Sequence, residues 1–239
     1  MSDPVHVDFA DGQMTVTLAR PEKANALSAE MAAGVAAAMA GAEAEGARAV
    51  VLRGEGRHFC AGFDFGDFES LTDGDLALRF LQVEEMLQAV FYASMPVLAL
   101  VQGRAVGAGA DLAAAAMRVV ATPKTRFQMP GPRFGVVLGT RRLAYRIGAV
   151  KARHIQIENR PIEAEEALAL GLVDALAEQD AFEAETQAFH DAFMQLEPGV
   201  TAALADVTRP DTRDADMAAL ARSVAIPGLK DRIAAFRKG

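Results

Sequence analysis

From Val5 to Leu18 the chain alternates apolar and polar positions in two short runs. Val5, Val7 and Phe9 interleave with His6 and Asp8; after Asp11-Gly12, Met14, Val16 and Leu18 alternate again. Period two around a D-G turn predicts a β-hairpin. PEKANAL (21–27) then breaks the strand. Ser28 is a suitable N-cap for a helix to about Ala44, with Gly46 as its stop. RAVVLRG (48–54) reads as a buried strand and EGRHFCAGFDFGDF (55–68) as a glycine-punctuated loop. Thr72 or Asp73 should open a longer helix through about Tyr92, with Leu76, Phe80, Val83, Leu87 and Val90 along one face.

The pattern then recurs. MPVLALVQG (95–103) predicts a strand, GRAVGAG (103–109) a turn and ADLAAAAM (110–117) a helix. RVVAT (118–122) and TRFQM (125–129) are two more short strands. Three helical stretches follow, at 140–148, 149–158 and 163–170, and LVDALA (172–177) reads as a last strand. From about Asp180 the pattern is helical, interrupted near Pro198, Pro210 and Pro227. Strand–turn–helix units at short spacing predict an α/β fold over residues 1–180 and a helical region over 181–239.

Composition narrows the class. The chain has 239 residues, 51% of them hydrophobic, enough for one large domain or one domain with a small appendage. The net charge is −8 and no Lys/Arg-rich block stands out, which argues against nucleic-acid binding. A single cysteine, Cys60, rules out an internal disulfide and suits a reducing compartment. MSDPVHVDF lacks the basic and apolar regions of a signal peptide. No apolar run approaches the ~18–20 residues of a membrane span. A soluble cytoplasmic protein is expected. His58, His154 and His190 are isolated in the sequence, so no metal site is expected.

The chemistry concentrates at two glycine junctions. In VGAGADL (106–112), Gly107 and Gly109 fit the first two places of G-x-G-x-x-G, but Leu112 stands at the third. A helix N-terminus approached without side chains has two readings: a tight strand–helix join, or free N–H groups offered to an anion or oxyanion. HFCAGFDF (58–65) is a second junction of the same kind, flanked by Phe63, Phe65 and Phe68. Two such junctions suggest two backbone N–H donors converging on one carbonyl oxygen, as acyl-transfer or enolate chemistry needs.

Five stretches in order resemble the enoyl-CoA hydratase/isomerase, or crotonase, superfamily. They are RPEKANAL (20–27), FCAGFDF (59–65), VQGRAVGAGADLAAAAMRVVAT (101–122), RFQMPGPRFGVVLG (126–139) and EEALALGLVD (165–174), followed by a closing helix DRIAAFRKG. The resemblance implies a spiral of ββα units and a helical C-terminal region serving trimerisation or as a lid, in a homotrimer or dimer of trimers. It implies an acyl-CoA thioester substrate, with CoA as part of the substrate and no further cofactor. Its oxyanion donors, carried over, are the N–H groups of Ala61 and Ala108. Its CoA- and substrate-contacting positions are Lys23, Ala24, Ala26, Ala61, Gly62, Phe63, Asp64, Phe65, Gly107, Ala108, Pro130, Gly131 and Leu138.

The acids depart from the family's pattern. Hydratases of the family set two glutamates on one water; this chain has Asp111 at the first place and Gly131 at the second. Asp is shorter than Glu by over ~1 Å, and misplacement on that scale can cost ~10²-fold in rate. Fast syn-hydration is therefore not expected. Reactions with one acid/base or none stay open, with Asp111 as the proton-transfer group: isomerisation, decarboxylation or thioester hydrolysis, or else a hydration with a displaced partner acid. A non-catalytic acyl-CoA binder is the alternative. Asp67, Glu69, Glu84 and Glu85 are candidate partner acids, more simply read as exposed helix and loop acids. Arg133 could orient a substrate carboxylate or pair on the surface.

Overall fold

A computed structural model describes residues 3–238. The expected hairpin is β1 (Val5–Ala10) and β2 (Gln13–Leu18), antiparallel, with Val7 opposite Val16. Helix α1 (Ala29–Ala44) starts at Ser28, whose side chain accepts from the N–H of Met31. Strand β3 is Ala49–Gly54 and α2 is Asp73–Phe91. Thr72 caps α2 in a reciprocal box with Asp75. Asp73, the other candidate cap, turns elsewhere: its carboxylate accepts from the backbone N–H groups of Gly228, Leu229 and Lys230.

Next come β4 (Val97–Val101), β5 (Arg104–Val106), α3 (Ala108–Ala115), β6 (Arg118–Ala121) and β7 (Arg126–Gln128). The segment expected to be wholly turn thus contains strand β5. Helices α4 (Thr140–Ile147) and α5 (Ala149–Glu158) follow, then β8 (Ile162–Glu163), α6 (Ala164–Leu170) and β9 (Ala175–Leu176). β8 carried no readable sequence signal because two residues cannot show a period. The C-terminal helices are α7 (Phe182–Met194), α8 (Val200–Thr208), α9 (Arg213–Val224) and α10 (Leu229–Lys238), broken where the prolines predict.

Two sheets organise the chain. The larger runs β1-β2-β3-β4-β6-β9, parallel from β2 onward; the smaller runs β5-β7-β8. Successive units place one strand in each sheet and then a helix: β4, β5, α3, and then β6, β7, α4. The unit before them is β3, the 60–63 segment and α2, with Cys60 bridging Ala105 and Phe63 bridging Leu27. This is a spiral of ββα turns. α1, α2 and α3 bury their apolar faces on one side of the large sheet. α7 covers the other side, where Phe182 and Phe189 pack on Val51, Leu98 and Leu100. β4 is buried along its whole length, as a parallel strand covered on both faces should be.

Candidate active site

The spiral brings the two glycine junctions together because they end adjacent turns. Cys60 N–H donates to Arg104 O (3.1 Å), and Val106 N–H donates to Cys60 O (3.0 Å). The glycines permit this contact. A Cβ on Gly109 would lie 2.4 Å from Cys60 O, and one on Gly62 would lie 2.3 Å from Val106 O. Either would push the loops apart.

Backbone geometry decides which N–H groups are available. Ala61 N–H donates to Ala24 O at 2.9 Å, so the expected assignment of Ala61 as a free donor is corrected. The parallel bridge between Leu27 and Phe63 explains the arrangement. It uses Gly62 O and Asp64 N–H on the side facing Leu27, so the N–H of Phe63 points the opposite way. That N–H has no acceptor among the described residues. Ala108 is the first residue of α3, and its N–H is likewise without an acceptor there. Its φ is not positive, so the alanine keeps the donor that a glycine would offer.

Phe63 and Ala108 both line a cavity of about 230 Å³. Of the other expected positions, Ala61, Gly62, Phe65, Gly107, Pro130, Gly131, Leu138 and Asp111 share its wall. Lys23, Ala24, Ala26 and Asp64 are not on it. Lys23 is exposed, and the other three hold the first motif against the second: Arg20 Nη1 donates to both Ala26 O and Asp64 Oδ2, each at 2.8 Å. Phe80, Phe134 and Phe236, from α2, the 131–134 turn and α10, complete an aromatic lining with Phe63 and Phe65. The rings of Phe63 and Phe80 stack at 4.2 Å.

Asp111 is 5% exposed, and its Oδ1 has no hydrogen-bond partner among the described residues. Burial pushes its carboxyl up to about 8; Arg142 opposes the rise and Glu84 adds to it. Among the described residues it is the one titratable side chain on the cavity wall. Gly131 faces the same cavity without an acid, and a Cβ there would come within 3.0 Å of Val136 O.

None of the candidate partner acids reaches the cavity. Asp67 is exposed and pairs with Arg79 at 2.7 Å; Glu69 and Glu85 are exposed. Glu84 is not the exposed helix acid its sequence position suggests. It and Arg142 are each 1% exposed and form a bidentate pair, Nη1 donating to Oε1 at 2.9 Å and Nη2 to Oε2. Asp216 lies 3.5 Å from Arg142 and also takes Arg141 and Thr212. Arg133 is exposed, donates to Glu158 O at 3.2 Å and does not line the cavity.

Sequence reading missed three residues here. Asn25 is fully buried in the left-handed region and uses both amide donors and its oxygen: Oδ1 accepts from Arg20 N–H, and Nδ2 donates to Glu55 O and His58 O. Its signal was present, since Asn is the side chain most tolerant of that conformation. Gln128 and Gln156 face the cavity without any local sequence signal. Cys60 is buried beside the junction; burial pushes its thiol up to about 12, so it stays protonated and donates to Asn25 O.

A larger cavity, about 370 Å³, opens between α8 and the end of α2, but neither glycine junction reaches it. Among the described residues no group of three or more His, Cys, Asp or Glu is placed to hold a metal ion. No helix there is long and apolar enough to cross a membrane.

A sequence profile described as enoyl-CoA hydratase/isomerase matches residues 8–226. A Rhodobacter capsulatus protein named a probable enoyl-CoA hydratase is 39% identical over 175 residues, covering 71% of this chain and 66% of its own length. A solved structure from Bordetella parapertussis, named for the same family, superposes with a TM-score of 0.97 at 42% identity over the full length of both chains. An enoyl-CoA hydratase/isomerase from Xanthobacter autotrophicus matches with a TM-score of 0.88 at 26% identity, covering 99% of this chain and 93% of that one.

Proposed function

The chain belongs to the enoyl-CoA hydratase/isomerase family, and from that premise we propose that it binds an acyl-CoA thioester and shifts its double bond. The observation that carries this reading is one largely apolar cavity lined by Phe63 and Ala108, whose N–H groups have no acceptor among the described residues, and by a single buried carboxyl.

The thioester oxygen accepts from Phe63 N–H and Ala108 N–H. As a proton leaves Cα, charge develops on that oxygen, and the two donors hold it in a dry site. Ionised Asp111 takes the α-proton of a 3-enoyl thioester, and the electron pair of the C–H bond spreads into a dienolate. The same carboxyl returns the proton at Cγ, leaving the double bond between Cα and Cβ. One group serves both transfers, so isomerisation needs no second acid. A carboxyl pushed up to about 8 suits the task, because it gives and takes a proton near neutral pH. Hydration would need its missing partner at Gly131, and losing a general acid/base typically costs ~10²–10⁴-fold.

Lys23, Ala24, Ala26 and Asp64, off the cavity wall, are proposed to border the CoA moiety. No further cofactor is proposed. The helical region from Phe182 is proposed to carry trimer contacts, which would cover apolar side chains such as Leu204 and Val207 of α8.

The test is a panel of 3-enoyl-, 2-enoyl-, malonyl- and saturated acyl-CoA esters with the wild-type protein and Asp111→Asn. Conversion of the 3-enoyl ester, lost in Asp111→Asn while binding persists, supports the proposal. Binding without turnover of any ester identifies an acyl-CoA binder instead. Absence of binding to every ester overturns both readings.

A further inference from the structure

Gln156 of α5 is 7% exposed and lines the cavity. Its Oε1 accepts from Thr140 Oγ1 at 3.2 Å, which orients the amide. Its Nε2 has no acceptor among the described residues. The surrounding wall is apolar: Leu138, Val136, Met129 and Phe134. A leucine would suit such a wall; an amide donor there is served by water until an acyl chain displaces it, and the chain must then supply the partner or leave the donor unpaired. Gln128, the other amide on the wall, has its Nε2 committed to Asn159 O at 2.8 Å. Gln156 is therefore the neutral side-chain donor left facing the acyl group.

We propose that the acyl group carries a hydroxyl or oxo oxygen beyond Cα, and that Gln156 Nε2 donates to it. This rests on reading the cavity as the acyl site of a CoA-thioester protein. Gln156 then sets specificity: an oxygenated acyl chain pairs the amide, and a plain alkyl chain leaves it desolvated and unpaired.

The experiment is calorimetric titration of the full chain with butyryl-, 3-hydroxybutyryl-, 4-hydroxybutyryl- and 3-oxobutyryl-CoA. We expect at least one oxygenated ester to bind about 3- to 10-fold tighter than butyryl-CoA, the worth of one net hydrogen bond. In Gln156→Met that ratio should fall to near one. Gln156→Asn retains the amide but withdraws it by one methylene; it should also lower the ratio and serves should the Met variant fail to fold. Equal binding of all four esters by the wild type, or a preference that survives in Gln156→Met, overturns the inference. If 3-enoyl-CoA is turned over but no oxygenated ester is preferred, this inference alone falls. If no CoA ester binds, it falls together with the proposed function.

Discussion

Gly139 and Asp111 occupy a space that admits no methyl group between them: a Cβ on Gly139 would sit 2.0 Å from Oδ1 of Asp111. Gly139 is also at φ +66°, a conformation glycine takes without strain. The carboxyl is thus positioned by the absence of a side chain on the N-cap of α4. Gly139→Ala should move it and strain the turn together. Stability should fall by about 1–3 kcal/mol, and displacement of the carboxyl by ~1 Å should lower kcat about 10²-fold. Thermal melting and turnover of the 3-enoyl ester check both.

The pH profile should report Asp111. With its carboxyl at about 8, the ionised base grows as pH rises, so kcat/KM should climb and level off above pH 8. Stability runs the other way. A carboxyl raised above its unfolded value binds its proton more tightly when folded, so wild-type stability falls as pH rises from about 4 to about 8. Asp111→Asn removes that loss. It should melt higher than wild type at pH 9, with about 2–4 °C for each kcal/mol regained. A variant melting lower than wild type at pH 9 would contradict the burial argument.

Ala108→Pro removes the proposed oxyanion donor and puts a ring carbon where its hydrogen stood. Proline is tolerated at the first position of a helix, so the change deletes one N–H with little cost to α3. Losing one such donor should reduce kcat by about 10²–10³-fold. Unchanged turnover in a folded Ala108→Pro protein would remove that N–H from the mechanism.

The Glu84–Arg142 pair should couple stability to the pH profile. Arg142→Met strands a buried carboxylate, an effect worth about 3–5 kcal/mol. The double variant Glu84→Met/Arg142→Met leaves no charge stranded and should be more stable than the single one. Where Arg142→Met folds, the rate profile should shift to higher pH, because Arg142 holds the Asp111 carboxyl down. Urea melts and pH–rate curves separate the two effects.

Asp73 ties the C-terminal helix to the start of α2 through three backbone N–H groups, and these hold its carboxyl below the usual range. Asp73→Ala should loosen α10 by about 0.5–2 kcal/mol, the worth of a cap. Because Phe236 of α10 lines the cavity, KM for a CoA ester should rise. Hydrogen exchange over residues 229–238 should quicken at a fixed pH, and in the wild type the protection of these amides should be lost only as pH falls below the usual carboxylate range, where the depressed carboxyl protonates.

Much of this protein is legible along the chain because the deciding interactions are local. The β1–β2 hairpin, the Ser28 and Thr72 caps and the proline breaks of the C-terminal helices follow from periodicity and capping over a few residues. Five ordered motifs carry the family, which the comparisons then show. Tertiary structure decided what depends on pairing between distant segments. Ala61 and Phe63 are two residues apart and look equally able to donate. Only the pairing of this segment with the first motif determines that one N–H is spent on Ala24 and the other, turned away from Leu27, has no acceptor among the described residues. Asp111 is singled out by its place in the third motif, but its burial, its contact with Gly139 and the nearby Glu84–Arg142 pair come only from the fold. Gln156 has no motif at all; it faces the cavity because α5 packs there. A sequence encodes its own turns and periods directly, but the environment of a side chain is set by the neighbours the fold brings to it.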